Sequence, residues 1–121
     1  MLIKEWYVHQ SAQIKAKFDT TMKFLNERPR HEWGKPAQKP RFRVLTNDLQ
    51  DFCEIRFFAD NVQRRPIGFF SGDKEFTILE FAIEKGDKLH PKPKVLLKIL
   101  NQRMELVQRD KGRYTHVWQI D

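Results

Sequence analysis

The chain has 121 residues, with 23 Lys and Arg against 16 Asp and Glu, a formal charge of +7, ten Phe, three Trp and one Cys. That length fits one domain with a modest core, spanning 1–121, and the aromatic content excludes a disordered tail. The lone cysteine excludes an intrachain disulfide framework and a cysteine-based zinc cluster, and the charge implies either an acidic partner, nucleic acid first, or a lysine-rich solvated surface.

The start of the chain, "MLIKEWYV", has charges where a secretion signal carries its apolar stretch, and no apolar run is long enough to span a bilayer. A cytoplasmic protein without a membrane partner is expected. Leu2 to Val8 alternates and is rich in aromatic and branched residues, which predicts a first strand. From Ser11 to Glu27 the apolar residues Ile14, Phe18, Met22 and Leu25 recur at helical spacing, with Ser11 as N-cap and Pro29 as the stop.

The segment "RPRHEWGKPAQKPRFR", Arg28 to Arg43, breaks the periodicity and reads as a loop or a broken short helix. Trp33 and Phe42 are expected to pin it to the core, and a basic arm that follows RNA is the alternative reading. Phe52 to Ala59 and Val62 to Phe70 read as strands joined at Asp60-Asn61. Ser71 to Lys74 forms a second turn, and Glu75 to Ile83 a third strand, giving an antiparallel meander. Pro66 cannot donate to a ladder and predicts an edge or a bulge. Glu84 to Pro93 reads as a basic loop. Lys94 to Arg109 reads as a helix with a wide stripe of Val95, Ile99, Gln102 and Leu106 beside Leu96, Leu100 and Val107. The tail "RYTHVWQID" suits a short final strand or an ordered extension. The fold class is therefore α+β: a small antiparallel sheet, meander plus N-terminal strand, packed with an N-terminal and a C-terminal helix.

Alternation puts Glu54, Arg56 and Phe58 on one face of their strand and Cys53, Ile55 and Phe57 on the other. Arg65 shares a face with Ile67 and Phe69, and Arg64 takes the opposite one. If helices cover only one face of the sheet, arginines on the other form a basic floor that can bind a phosphate through paired hydrogen bonds. The competing reading is structural, with Arg56 paired to Glu54 as a cross-strand salt bridge. Cys53, among apolar neighbours, reads as a buried small side chain rather than a reactive thiol. The "GFFSG" stretch is turn chemistry, and His9 and His31 read as structural or surface residues.

The order of elements resembles the RelE/ParE toxin superfamily of bacterial toxin–antitoxin pairs, and within it the phage-derived HigB-like branch. The resemblance is carried by Phe52-Cys53-Glu54-Ile55-Arg56, by Arg64-Arg65 before "PIGFF", and by Leu79 to Lys85 followed by Lys88 and Pro91, so it runs from Phe52 to about Arg109. Arg65 takes the place of the family's second arginine, Lys85 and Lys88 those of two lysines. The sequence departs from the family pattern at Glu80, Glu84, Arg64 and Pro66. Glu80 replaces a histidine and Glu84 a lysine, which removes positive charge and adds negative charge beside the implied site.

What the resemblance implies is a type II toxin: a ribosome-dependent endoribonuclease that cuts mRNA and is silenced by a cognate antitoxin protein, as a homodimer or a toxin–antitoxin heterotetramer. No cofactor and no metal are implied. Metal-free RNA cleavage uses the 2′-hydroxyl as nucleophile, and needs a proton acceptor, cations for the developing charge, and a proton for the leaving 5′-oxygen. Arg56 and Arg65 suit charge stabilisation. Lys85 supplements it, or acts as the base if neighbouring cations lower its pKa. His90 is either the proton-transfer residue or an idle solvated histidine beside Pro91. Lys88, Arg64, Lys92 and Lys94 are the expected nucleic-acid contacts, and Tyr114 and His116 are further candidates. A gyrase-directed toxin and a non-catalytic RNA- or ribosome-binding protein on the same scaffold are the alternatives.

Overall fold

A computed structural model describes residues 3–109 and 117–119. Helix α1 (Ile3–Val8) is followed by α2 (Ala12–Asn26) and a short α3 (Arg30–Trp33). The sheet contains β1 (Phe42–Val44), β2 (Cys53–Ile55), β3 (Phe57–Ala59), β4 (Val62–Gly72), β5 (Glu75–Lys85) and β6 (Lys88–His90). Helix α4 (Pro93–Arg109) follows, and β7 (Val117–Gln119) returns to the sheet. Among the described residues these strands form one antiparallel sheet of seven, in the order β1-β2-β4-β5-β6, with β3 also on β4 and β7 also on β5. The fold is α+β, as expected.

The N-terminal strand is not formed. Of Leu2 to Val8, the described part is helix α1. Trp6 and Tyr7, adjacent in sequence, both meet the ring of Phe18. Alternation on a strand would send them to opposite faces, whereas the 3.6-residue period lets neighbours share one. Trp6 also stacks on Phe81 at 4.1 Å, which docks α1 on the sheet.

Helix α2 follows its sequence pattern closely. Ile14, Phe18, Met22 and Leu25 are its buried residues. The Ser11 hydroxyl caps it by accepting from the Ile14 N–H at 3.2 Å, while donating to Asp60 Oδ2 at 2.6 Å in the β3–β4 turn. Trp33 is fully buried, and its indole N–H donates to the carbonyls of Leu25 and Arg28 at the end of α2. The punctuated segment is thus anchored by Trp33 and Phe42, as their aromatic character predicts.

Three two-residue hairpins join β3 to β4, β4 to β5 and β5 to β6. Asp60-Asn61 and Gly86-Asp87 both have positive φ at both positions, the type I′ geometry that matches strand twist. The second of these turns the expected basic loop after Ile83 into the end of β5 plus strand β6.

Pro66 lies inside the sheet rather than at an edge, and the β4–β5 register shifts close by, between Ile67 and Gly68. The registers Cys53↔Gly68 and Phe57↔Arg64 place Ile55 opposite Pro66. The missing N–H falls there, and the expected single strand from Phe52 to Ala59 breaks into β2 and β3 at Arg56. The Arg56 N–H turns to the other side and donates to the Arg41 carbonyl at 2.8 Å.

Both faces of the sheet carry a core. One contains Ile14, Phe18, Met22, Leu25, Trp33, Phe42, Ile55, Phe57 and Phe76 under α1 and α2. The other contains Phe52, Ile67, Phe69, Leu79 and Ala82 under Leu96, Leu100 and Val107 of α4. The condition of helices over one face only, on which a fully open basic floor depended, is therefore not met. The wide stripe of α4 is also only half used, since Val95 stays 50% exposed and Leu106 36%. Among the described residues no helix is long and apolar enough to cross a membrane.

Candidate functional site

The α4 side of the sheet is only partly covered, and its uncovered corner is charged. Alternation holds through the break between β2 and β3. Ile55 and Phe57 enter the α2 core, while Glu54 and Arg56 point to the α4 side. Arg65, opposite Ala82 of the α4 core, joins them. Glu54 is the centre of the group, only 3% exposed. Its carboxylate lies 3.7 Å from Arg56 Nε and 3.8 Å from Arg65 Nε. Arg65 Nη2 reaches Glu84 Oε1 at 2.7 Å.

Two distances decide what these arginines are free to do. At 3.7 and 3.8 Å the contacts to Glu54 are ion pairs, longer than hydrogen bonds. The buried Nε atoms of Arg56 and Arg65 have no hydrogen-bond acceptor in the protein, a feature that Arg64, on the other face, shares. Buried donors of this kind are normally satisfied, so the group is short of acceptors rather than of donors. Glu54 and Arg65 of this group, though not Arg56, line a cavity of about 540 Å³ together with Lys39 and Arg43. Three arginines, 43, 56 and 65, stand against two carboxylates, 54 and 84, so the corner is net positive.

Burial acts on the acid and the base alike. It raises the Glu54 carboxyl above its ordinary value, against the pull of Arg65, Arg56 and Arg43, and the Glu84 charge adds to the rise. Burial also lowers Arg56, with Glu54 opposing and Arg43 and Arg65 contributing. The Cys53 thiol is pushed up to about 11 by burial, which suits the inert side chain expected from the sequence.

The other sequence-predicted residues stand elsewhere. Arg64 pairs with Phe57 on one side and Ile83 on the other, and Ile83 pairs with His90. Directly opposed residues in an antiparallel sheet share a face, so Arg64 and His90 lie on the Phe57 side, away from Arg65. Lys85, two residues beyond Ile83, and its partner Lys88 fall on that side too. Lys85, Lys88, His90, Lys92 and Lys94 are exposed, and none forms an ion pair among the described residues. The constellation expected from the resemblance is therefore divided: Arg56 and Arg65 occupy one face, and Lys85, Lys88 and His90 edge the other. Tyr114 and His116 lie outside the described residues.

Glu54 was visible in the sequence only as a partner for Arg56. Its place between two arginines, with burial raising its carboxyl, makes it the group of this corner best suited to accept a proton. Alternation placed it on the right face. What strand pattern lacks is depth: β1 pairs beside β2 and sets Arg43 opposite Glu54, whose carboxylate is buried. Among the described residues no three His, Cys, Asp or Glu side chains gather as a cation site. No protein-family model, curated protein or solved structure matches the chain, so the site is read from its own geometry.

Proposed function

We propose that the chain is an RNA-cleaving toxin of the RelE/HigB type, a ribosome-dependent mRNA endoribonuclease restrained by a cognate antitoxin. The observation that supports this most is the pair of Arg56 and Arg65 on either side of Glu54, with Arg65 and Glu54 lining a positively charged cavity beside Arg43 and Lys39. Planar guanidiniums held by neighbouring carboxylates are preorganised for a phosphate and keep their charge at working pH.

In this reading the scissile phosphate sits against Arg56 and Arg65, and Glu54 takes the proton of the adjacent 2′-hydroxyl. The 2′-oxygen bonds to phosphorus, and the bond to the 5′-oxygen breaks. The leaving oxygen takes a proton from solvent, giving a 2′,3′-cyclic phosphate and a 5′-hydroxyl. Lys85, Lys88, Lys92 and Lys94, together with Arg64, serve as longer-range contacts to the RNA or ribosome backbone rather than in the chemistry. His90, on the far face, carries no step. Induction of the protein alone is expected to arrest growth and to leave cyclic-phosphate ends on translated messages. Normal growth with abundant folded protein would overturn the proposal.

A second reading is favoured by the Arg65–Glu84 ion pair at 2.7 Å, which occupies one arm of the arginine and places negative charge at the site. It is a non-catalytic RNA- or ribosome-binding protein on the same scaffold. It gives association that weakens steeply with salt and no cleavage products.

A further inference from the structure

Two cavities of the described molecule flank one strand, β1, which is an edge of the sheet. The registers Phe42↔Ile55 and Val44↔Cys53 bracket Arg43↔Glu54. The Leu45 N–H donates to the Phe52 carbonyl, and the Arg56 N–H to the Arg41 carbonyl. Residues 41 and 45 therefore turn their main-chain groups toward β2, and by alternation so does Arg43. The N–H and C=O of Phe42 and Val44 point away from the sheet. No backbone partner on that outer side is formed among the described residues. Val44 is 57% exposed, so the edge is open to solvent there.

The surroundings of this edge differ on its two sides. On the α2 side a cavity of about 560 Å³ is walled by Trp33, Phe42, Val44, Phe70 and Arg30. Trp33, Phe42, Val44 and Phe70 give it an apolar wall, with Arg30 over the Phe70 ring at 4.0 Å and 3.8 Å from Asp73, while His31, Asp73 and Lys74 also line it. On the α4 side is the cavity walled by Lys39, Arg43, Glu54 and Arg65. Gly34, Phe42 and Val44 line both, so the two meet along the strand.

We infer that β1 is a strand-addition site for an extended peptide that alternates apolar and acidic residues. Residues opposite Phe42 and Val44 would exchange main-chain hydrogen bonds with them and send apolar side chains into the Trp33–Phe70 cavity. The residue between them, opposite Arg43, would lie in the close, non-hydrogen-bonded pairing and present its carboxylate to Arg43 and Lys39. The +7 charge of the chain draws an acidic segment to this edge. The inference does not depend on RNA cleavage, although a seated peptide would cover the mouth of the cavity that contains Arg65.

The test uses the intact chain and a short peptide alternating valine and glutamate. Binding is expected to slow amide hydrogen exchange of Phe42 and Val44 by about tenfold or more, and to leave the amides of β6 unchanged. Arg43→Glu is expected to weaken binding about tenfold. Val44→Pro removes an outward N–H that β2 does not use, and should abolish binding with the fold retained. The same peptide N-methylated at its valines tests the same hydrogen bonds without altering the protein, so a variant that fails to fold does not leave the question open. No binding overturns the inference. So does equal binding by a lysine-for-glutamate peptide, protection of these two amides by protein concentration alone, or their protection by an RNA oligonucleotide and not by the peptide.

Discussion

Replacing Arg65 tests whether the charged corner is one coupled unit. Arg65 is the leading cation acting on Glu54, a carboxylate that is 3% exposed, and it also holds the half-exposed Glu84. Removing one partner of a buried ion pair costs about 3–5 kcal/mol. Arg56 remains 3.7 Å from Glu54, so the lower end applies, about 3 kcal/mol, with at most about 1 kcal/mol of it from Glu84. For 121 residues an unfolding entropy of roughly 2.1 cal/mol/K per residue converts each kcal/mol into about 4 °C. Arg65→Ala is thus expected to lower Tm by about 12 °C at pH 7. Arg65→Met, which keeps the aliphatic stem, should lose nearly as much. The cation stabilises ionised carboxylates, so its contribution is full when they are charged and fades as pH falls through their titration. The gap between wild type and Arg65→Ala should shrink toward pH 4. In the double variant Glu54→Gln/Arg65→Ala, most of the loss should be recovered, with a coupling of about 2 kcal/mol. Thermal unfolding followed by circular dichroism from pH 4 to 8 reads all of these. A gap below about 0.5 kcal/mol, or one independent of pH, would refute the coupling.

Glu54→Gln has its own signature. The folded carboxyl titrates above the ordinary 4.5, so its ionisation costs stability, least below 4.5 and increasingly as pH rises through the raised value. The glutamine variant is expected to be at least as stable as wild type at pH 7 and to show a flatter stability profile, checked by denaturant titration at several pH values. Gly68→Ala should destabilise by about 3 kcal/mol or prevent folding, because a Cβ there would meet the Thr77 carbonyl oxygen at 1.9 Å on the neighbouring strand. Soluble yield and Tm report it. Cys53, pushed up to about 11, should alkylate at pH 8 at least about a hundredfold more slowly in the native protein than in urea, followed by mass spectrometry.

The parts of the fold that one element decides for itself were legible in the sequence. The apolar stripe and serine cap of α2, the Asp60-Asn61 turn, the long β4–β5 hairpin and the burial of Trp33 all follow from local pattern. The errors come from tertiary context. Leu2 to Val8 alternates weakly enough to suit either period, and the pocket between Phe18 and Phe81 selects the helix. Pro66 was a signal without a location until register placed it opposite Ile55. The split of the expected site has the same origin. Arg56 and Arg65 lie on one face by alternation, but whether Lys85 and His90 join them depends on the register and length of the β5–β6 hairpin. The sequence pattern there, from Glu84 to Pro93, is that of a loop. The depth of Glu54, which turns a salt-bridge partner into a candidate base, depends on β1 lying beside β2, and β1 is too short to announce itself by pattern.

The most direct test of the proposed chemistry is a translation reaction programmed with a defined message, with the 3′ ends of its fragments analysed for cyclic phosphate. Wild type is expected to generate 2′,3′-cyclic phosphate ends, and Glu54→Gln to bind ribosomes with unchanged affinity yet cleave at least about a hundredfold more slowly. Cleavage by Glu54→Gln at the wild-type rate would contradict the role of Glu54, and the absence of cyclic-phosphate ends from wild type would contradict RNA cleavage itself.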